Sequence, residues 1–176
     1  MLWTLLAING AMFVAEVVVG WIAESTGLLA DSLDMLADAV IYGVSLSAVG
    51  RAAHRKAKAA KLSGVLQIVL GLGVLAEVTR RARFGSEPIS SLMMLMGCVA
   101  LIANVACLLL LAKHRHDGEH MRASWIFSTN DVIANTGVIA AGLLVLLTDS
   151  AAPDLVIGTL ISAVIVFGGI KILRPE

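Results

Sequence analysis

Apolar residues run along this chain in blocks rather than in alternation. Six blocks reach the roughly 20 residues that a helix needs to cross a hydrocarbon layer about 30 Å thick. They lie at about 3–23, 27–50, 60–79, 89–112, 123–147 and 155–173. A membrane barrel would instead alternate polar and apolar residues over strands of about ten, and that period is missing. The pattern predicts an all-α, polytopic membrane protein with six transmembrane helices. The first block has no basic head and leads straight into the second, so it reads as a span and not as a cleaved signal peptide. Connectors are short, which predicts antiparallel neighbours. No Pro-, Ser- or Gly-rich linker divides the chain, so residues 1–176 read as a single transmembrane domain with no soluble domain.

Composition agrees and removes other classes. Hydrophobic residues make up 59% and charged residues 15%, with a mean hydropathy of +0.91; a soluble domain has about 45–50% and about 25%. Thirteen basic and thirteen acidic residues cancel, so bulk charge offers nothing to a nucleic acid. Cys98 and Cys107 are nine positions apart and point to opposite sides of a helix, which excludes a disulfide framework. Sixteen glycines suit close helix packing in lipid. The basic residues set the orientation. Arg51, Arg55, Lys56, Lys58 and Lys61, with Lys113, Arg115, Arg122, Lys171 and Arg174, place ten on the side of the termini, against Arg80, Arg81 and Arg83 on the other. Cytoplasmic loops are the ones enriched in Lys and Arg, so both termini are read as cytoplasmic.

Polar residues inside the spans carry the functional signal, because a charge near a helix centre costs about 2.5–3.5 kcal/mol on insertion scales. The second span, GLLADSLDMLADAVIYGVSLS, holds Asp31, Asp34 and Asp38. At about 100° per residue these positions fall on one stripe, from the outer third of the membrane to its middle. No basic residue occupies the middle of any span, so the stripe must be protonated, hydrated or bound to a cation. The fifth span, ASWIFSTNDVIANTGVIAAG, adds Asn130, Asp131 and Asn135. Asp131 and Asp38 are expected at similar depth. A set of Asp34, Asp38, Asp131 and Asn130, with Asp31 as a further candidate, offers only oxygen, which suits hard or borderline divalent ions.

Other polar groups read more plainly. Asn9 and Glu16, seven apart on the first span, share a face and read as an interhelical hydrogen bond or a proton site. Gln67 and Asn104 read as interhelical glue, and Glu77 as an interfacial partner of Arg80 and Arg81. Met93, Met94 and Met96 read as packing. The connector KHRHDGEHMR brings His114, His116 and His120 beside Asp117 and Glu119, a tract able to hold a divalent metal weakly.

At these residues the chain resembles the cation diffusion facilitator family of metal/proton antiporters. The resemblance rests on LLADSLDMLAD, on the run from Asp131 to Gly137, on the spacing of Asn9, Glu16 and Gly20, and on Ser25 before LLAD. It covers nearly the whole chain. The resemblance implies six helices with cytoplasmic termini and a central site of two residues from the second helix and two from the fifth. Asp34 and Asp38 fall on the first pair of positions, and Asp31 on a frequent acidic position one turn earlier. The fifth-helix His position is Phe127, which cannot coordinate, and Asn130 is the natural substitute. Loss of the imidazole leaves zinc open and favours manganese, iron(II) or cobalt, with cadmium also among the candidates. The family's cytoplasmic domain after the sixth helix is not seen in this sequence, which marks a short form and leaves a homodimer open.

The expectation that follows is a secondary transporter exporting a divalent transition-metal cation in exchange for protons, by alternating access and without a resident cofactor. Metal ion, protons and lipid are its partners. A cation channel and a non-transporting metal-sensing subunit are the alternatives. No His-rich zinc motif, nucleophile elbow or phosphate-binding loop points to an enzyme. The scarcity of cysteine suits a bacterial inner membrane.

Overall fold

The computed structural model describes residues 1–48, 53–112 and 119–174, with side chains described at 1–44, 46, 61–112 and 129–174. It contains α1 (Leu2–Ile22), α2 (Thr26–Ala48), α3 (Ala53–Phe84), α4 (Ser90–Ala112), α5 (Glu119–Thr148) and α6 (Ala152–Leu173). A helix is present at each of the six predicted spans. α3 and α5 run furthest beyond their apolar blocks. α3 begins at Ala53 rather than near 60 and ends at Phe84 rather than near 79, and α5 begins at Glu119 rather than near 123. Ala, Lys, Arg, Glu and Met are strong helix formers, so the helical backbone continues past the apolar block in both. Five of the six helices are long and apolar enough to cross a membrane. The exception, α2, carries Asp31, Asp34 and Asp38.

Three of the helices end the same way. α1, α3 and α5 each stop at a residue of positive φ, namely Glu24 (48°), Gly85 (85°) and Asp149 (50°). A left-handed residue after the last turn lets its N–H bond back to a helix carbonyl. Gly85 N–H donates to Arg81 O at 2.8 Å and Asp149 N–H to Val145 O at 2.9 Å. All three turns lie on one face. Ile89 N–H donates to Ala23 O at 2.9 Å, tying the α3–α4 connector to the α1–α2 turn, and Asp154 at the start of α6 bonds to the same turn. This is the face that the charge asymmetry of the sequence predicts to be the outer one.

α2 is the hub. It packs against α1, α3, α4, α5 and α6, whereas the remaining helices pack mainly in the pairs α3–α6 and α4–α5. Its N-terminus is capped from outside its own sequence. Asp154 Oδ2 accepts from Thr26 N–H (2.6 Å) and Thr26 Oγ1 (2.9 Å), and Oδ1 accepts from Ser25 Oγ (2.6 Å) and Gly27 N–H (3.0 Å). Thr26 Oγ1 also lies 3.0 Å from Asp154 O, and Ser25 Oγ accepts from Leu28 N–H at 3.1 Å. Asp154 is 0% exposed. Free N–H groups and the helix dipole both favour a carboxylate here, so one side chain of α6 fixes where α2 starts.

Lipid gives helices no hydrophobic reason to associate, so they hold together by close packing. The α3–α6 pair meets at Gly64 and Gly169. A β-carbon on Gly169 would lie 2.7 Å from Gly64 O, and one on Gly64 would lie 3.0 Å from Gly169 O. Large apolar side chains face outward instead. Trp3 (72% exposed) and Trp21 (67%) mark the two ends of α1, as aromatic residues do at membrane interfaces. Met93 and Met96 are buried in the core, as packing residues. Gly169→Ala should therefore destabilise the protein by about 1–3 kcal/mol, read as a lower midpoint in detergent thermal unfolding. Gly10→Ala, with nothing within 4 Å of the added carbon, should leave that midpoint unchanged or slightly raised.

Candidate metal site

Residues four apart on a helix lie above one another, so Asp34 and Asp38 of α2 open onto the same space. That space is a cavity of about 490 Å³ lined by Asp34, Ala37, Asp38 and Ile41 of α2, Gln67 of α3, Asn130 and Asp131 of α5, Val164, Ile165, Gly168, Lys171 and Ile172 of α6, and Arg174 just beyond it. All four residues of the principal predicted set stand on its wall. The carboxyls of Asp34 and Asp131 lie within hydrogen-bonding reach of one another across the α2–α5 contact. Two carboxyls this close cannot both stay charged without a proton or a cation between them. Asp38 is engaged differently, its Oδ2 accepting from Tyr42 Oη at 3.3 Å one turn along the same helix.

The stripe is divided rather than gathered. Among the described residues no group of three or more His, Cys, Asp or Glu is placed to hold a metal ion. Asp31, the third acid, does not line the cavity. It is 1% exposed, and its Oδ1 accepts from Asn135 Nδ2 at 3.1 Å. Asn135 Nδ2 also donates to Asp131 O at 2.8 Å, so one amide ties the outer acid of α2 to the backbone beneath the inner acid of α5. The division follows from position along α2: one turn nearer its N-terminus the helix is enclosed by its neighbours, and a donor from α5 reaches Asp31 Oδ1 while Oδ2 has no hydrogen-bond partner among the described residues. His114 and His116 lie outside the described residues, as do the side chains of His120 and Phe127.

The single polar groups of the other helices are placed as follows. Asn9 donates to Leu5 O at 2.9 Å and reaches Cys107 Sγ of α4 at 3.7 Å, the expected interhelical contact. Glu16 is 0% exposed, and neither of its oxygens has a hydrogen-bond partner among the described residues. Gln67 is not only glue, since it lines the cavity. Glu77 pairs with Arg80 at 2.7 Å and Arg81 at 2.6 Å, as its spacing implied. Cys98 and Cys107 are free thiols.

Sequence reasoning missed Tyr42, Lys171, Arg174 and Asp154. Tyr42 had a signal, being four residues after Asp38. Lys171 and Arg174 were read only as charges that set the orientation, although a sixth helix parallel to the second brings its C-terminal end to the same cavity. An acid in the first turn of α6, after Pro153, signals a helix start, but not that it would cap a different helix.

An all-α bundle spanning the membrane, with carboxylates facing an internal cavity, defines a polytopic membrane protein with an ionisable site in its interior. The chain belongs to the cation efflux family: the family's transmembrane-domain pattern matches residues 2–176, and the resemblance noted from Asp34, Asp38 and Asp131 is to this same family. It is 26% identical over 168 residues to the metal cation efflux system protein CzcD of Cupriavidus metallidurans, covering 89% of this chain and 53% of that protein. It is 29% identical over 184 residues to the zinc transporter ZitB of Pectobacterium atrosepticum, covering 96% and 57%. It is 22% identical over 190 residues to the cadmium, cobalt and zinc/H⁺-K⁺ antiporter of Bacillus velezensis, covering 100% and 60%. The chain thus spans little more than half the length of the curated relatives it matches.

Removing the Asn135 amide leaves the buried Asp31 without its donor. Asn135→Ala is expected to lower unfolding stability in detergent by about 1–3 kcal/mol. Asn130→Ala, on the cavity wall, should leave stability unchanged by the same assay.

Proposed function

We propose that the chain moves a divalent transition-metal cation out of the cytoplasm in exchange for protons, by alternating access at Asp34, Asp38 and Asp131 with Asn130 as a neutral ligand. The observation that carries this reading is the Asp34–Asp131 pair. Two carboxyls within hydrogen-bonding reach accept one proton between them or one cation, so cargo and proton exclude each other at the same oxygens. Metal binding requires deprotonated ligands and therefore releases protons. No covalent step and no resident cofactor is involved.

In the cycle, a cation reaches the cavity from the cytoplasmic end, displaces the shared proton, and draws in Asp38 from its bond to Tyr42. Helix rocking then exposes the same oxygens to the outside, where protons displace the ion. The names of the relatives supply the cargo class: CzcD as metal cation efflux, ZitB as zinc transport, and the Bacillus velezensis protein as cadmium, cobalt and zinc exchange with protons. An all-oxygen set extends the range toward manganese and iron(II). The membrane is a bacterial inner membrane on this reading. Alternating access is favoured over a channel because the cavity wall belongs to helices whose outer ends are drawn together by Asp154.

The test is metal-driven proton flux in proteoliposomes holding a pH dye, with zinc, cobalt, cadmium and manganese added in turn. The wild type should give a saturable signal that Asp34→Ala and Asp38→Ala remove. Tyr42→Phe should retain transport, with metal affinity raised up to about 10-fold, because Asp38 no longer gives up a hydrogen bond to reach the ion. Flux without saturation or proton movement would indicate a channel, and metal binding without flux a sensor. Protons compete with the ion, so acidification must weaken binding, by about tenfold per pH unit for each proton displaced. Equilibrium dialysis of zinc between pH 5.5 and 7.5 should show that slope in the wild type and a shallower one in Asp131→Asn.

A further inference from the structure

The bonds between Asp154 and the start of α2 do more than cap a helix. They sit at the end of the α2–α6 contact opposite to the cavity. α2 and α6 both begin on the outer face, so they run parallel. Toward the cytoplasm they stand apart, and the cavity between them is lined by Asp34, Asp38 and Ile41 on one side and by Val164, Gly168 and Ile172 on the other. Toward the outside they close on each other. A β-carbon on Gly158 of α6 would lie 2.6 Å from Thr26 Oγ1 and 2.8 Å from Thr26 C. One on Gly27 would meet Ile157 Cγ2 at 2.9 Å and Asp154 Oδ1 at 3.1 Å. The two helices form a wedge, open at the carboxylates and shut at Asp154.

The geometry points to Asp154 as the outer latch of the transport cycle: a positioning residue whose bonds to Ser25, Thr26 and Gly27 hold the outer end shut while the cavity faces the cytoplasm, and which must let go for the cargo to leave. This inference rests on the alternating-access reading above. Three features separate a latch from simple glue. Four of the five hydrogen bonds converge on one carboxylate, so those four are lost together and not one by one. The donors they satisfy are the free N–H groups and hydroxyls of a helix start, which water replaces readily once exposed. The latch also joins α6, from the α3–α6 pair, to α2, which carries the metal-site acids, so releasing it frees the two bodies that must move apart.

Two arms test this in protein with Cys98→Ser and Cys107→Ala. In the first, Gly27→Cys and Ile157→Cys are introduced together, leaving Asp154 in place, and the pair is oxidised. The disulfide is expected to form in the resting protein, to abolish metal-driven proton flux, and to release it again with reductant. Failure to cross-link, or full flux in cross-linked protein, overturns the latch. In the second arm, Ala37→Cys on the cavity wall reports which side reaches the site, using a membrane-impermeant maleimide and no cargo. Asp154→Asn is expected to raise labelling from the outside roughly 10-fold, within the 5- to 150-fold range of about 1–3 kcal/mol couplings. Folded Asp154→Asn protein labelled from the same side at the same rate overturns the proposal. The arms also separate this failure from that of the transport reading, since a wild type without metal-driven flux still reports sidedness through Ala37→Cys.

Discussion

Everything else in this bundle is arranged around a helix that lipid would reject. α2 carries Asp31, Asp34 and Asp38 within eight positions, and three intramembrane charges cost several kcal/mol even on lenient insertion scales. It is admitted because it touches no single environment for long. α1, α3, α4, α5 and α6 all pack against it, Asn135 answers Asp31, and Asp131 answers Asp34. The N-terminal N–H groups, which lipid could not satisfy, are answered by Asp154. Remove the acids and α2 becomes an ordinary span with no reason to sit at the centre. Keep them, and the other five helices are required to surround it.

That requirement also explains where the small residues lie. Polar contacts fix α2 to its neighbours, but α3 and α6 meet through backbone, with Gly64 and Gly169 allowing an approach that any side chain would block. Packing of this kind is strong in one register and weak in others. It suits a pair that travels as a unit. The contacts between that pair and α2 are of the opposite kind, concentrated at the outer end in a single carboxylate and giving way to a cavity toward the cytoplasm. On the proposed cycle, this distribution of glycine and carboxylate separates parts that stay together from a joint that opens.

Much of this was legible in the sequence, and what was not has a physical reason. Six spans, the acidic stripe and the meeting of Asp38 with Asp131 at one cavity followed from block length and from helical period, which are local properties. The ends of α3 and α5 were not, because helix formers such as Ala and Lys carry a helix past the bilayer where hydropathy gives no mark. The splitting of the stripe was invisible for a deeper reason. Asp31, Asp34 and Asp38 share a face, and only their partners on α5 distinguish them: an amide for the first, a carboxyl for the second. Asp154 posed the same problem, since an acid in the first turn of a helix is locally self-explanatory, and nothing along the chain says that the N–H groups it serves belong to another.

The partners also explain why an amide and a carboxyl are not interchangeable here. Asn135 offers Asp31 a fixed donor at Oδ1, while Oδ2 is buried without a hydrogen-bond partner among the described residues. Asp131 offers Asp34 only another acceptor, and that contact is incomplete until something positive lies between. An intramembrane site that must bind and release needs the second kind of contact, because a donor fixed in the protein would compete with the cargo in every state. On the proposed reading, the exchangeable pair falls one turn along α2 from the Asp31–Asn135 contact, on the side where the cavity opens.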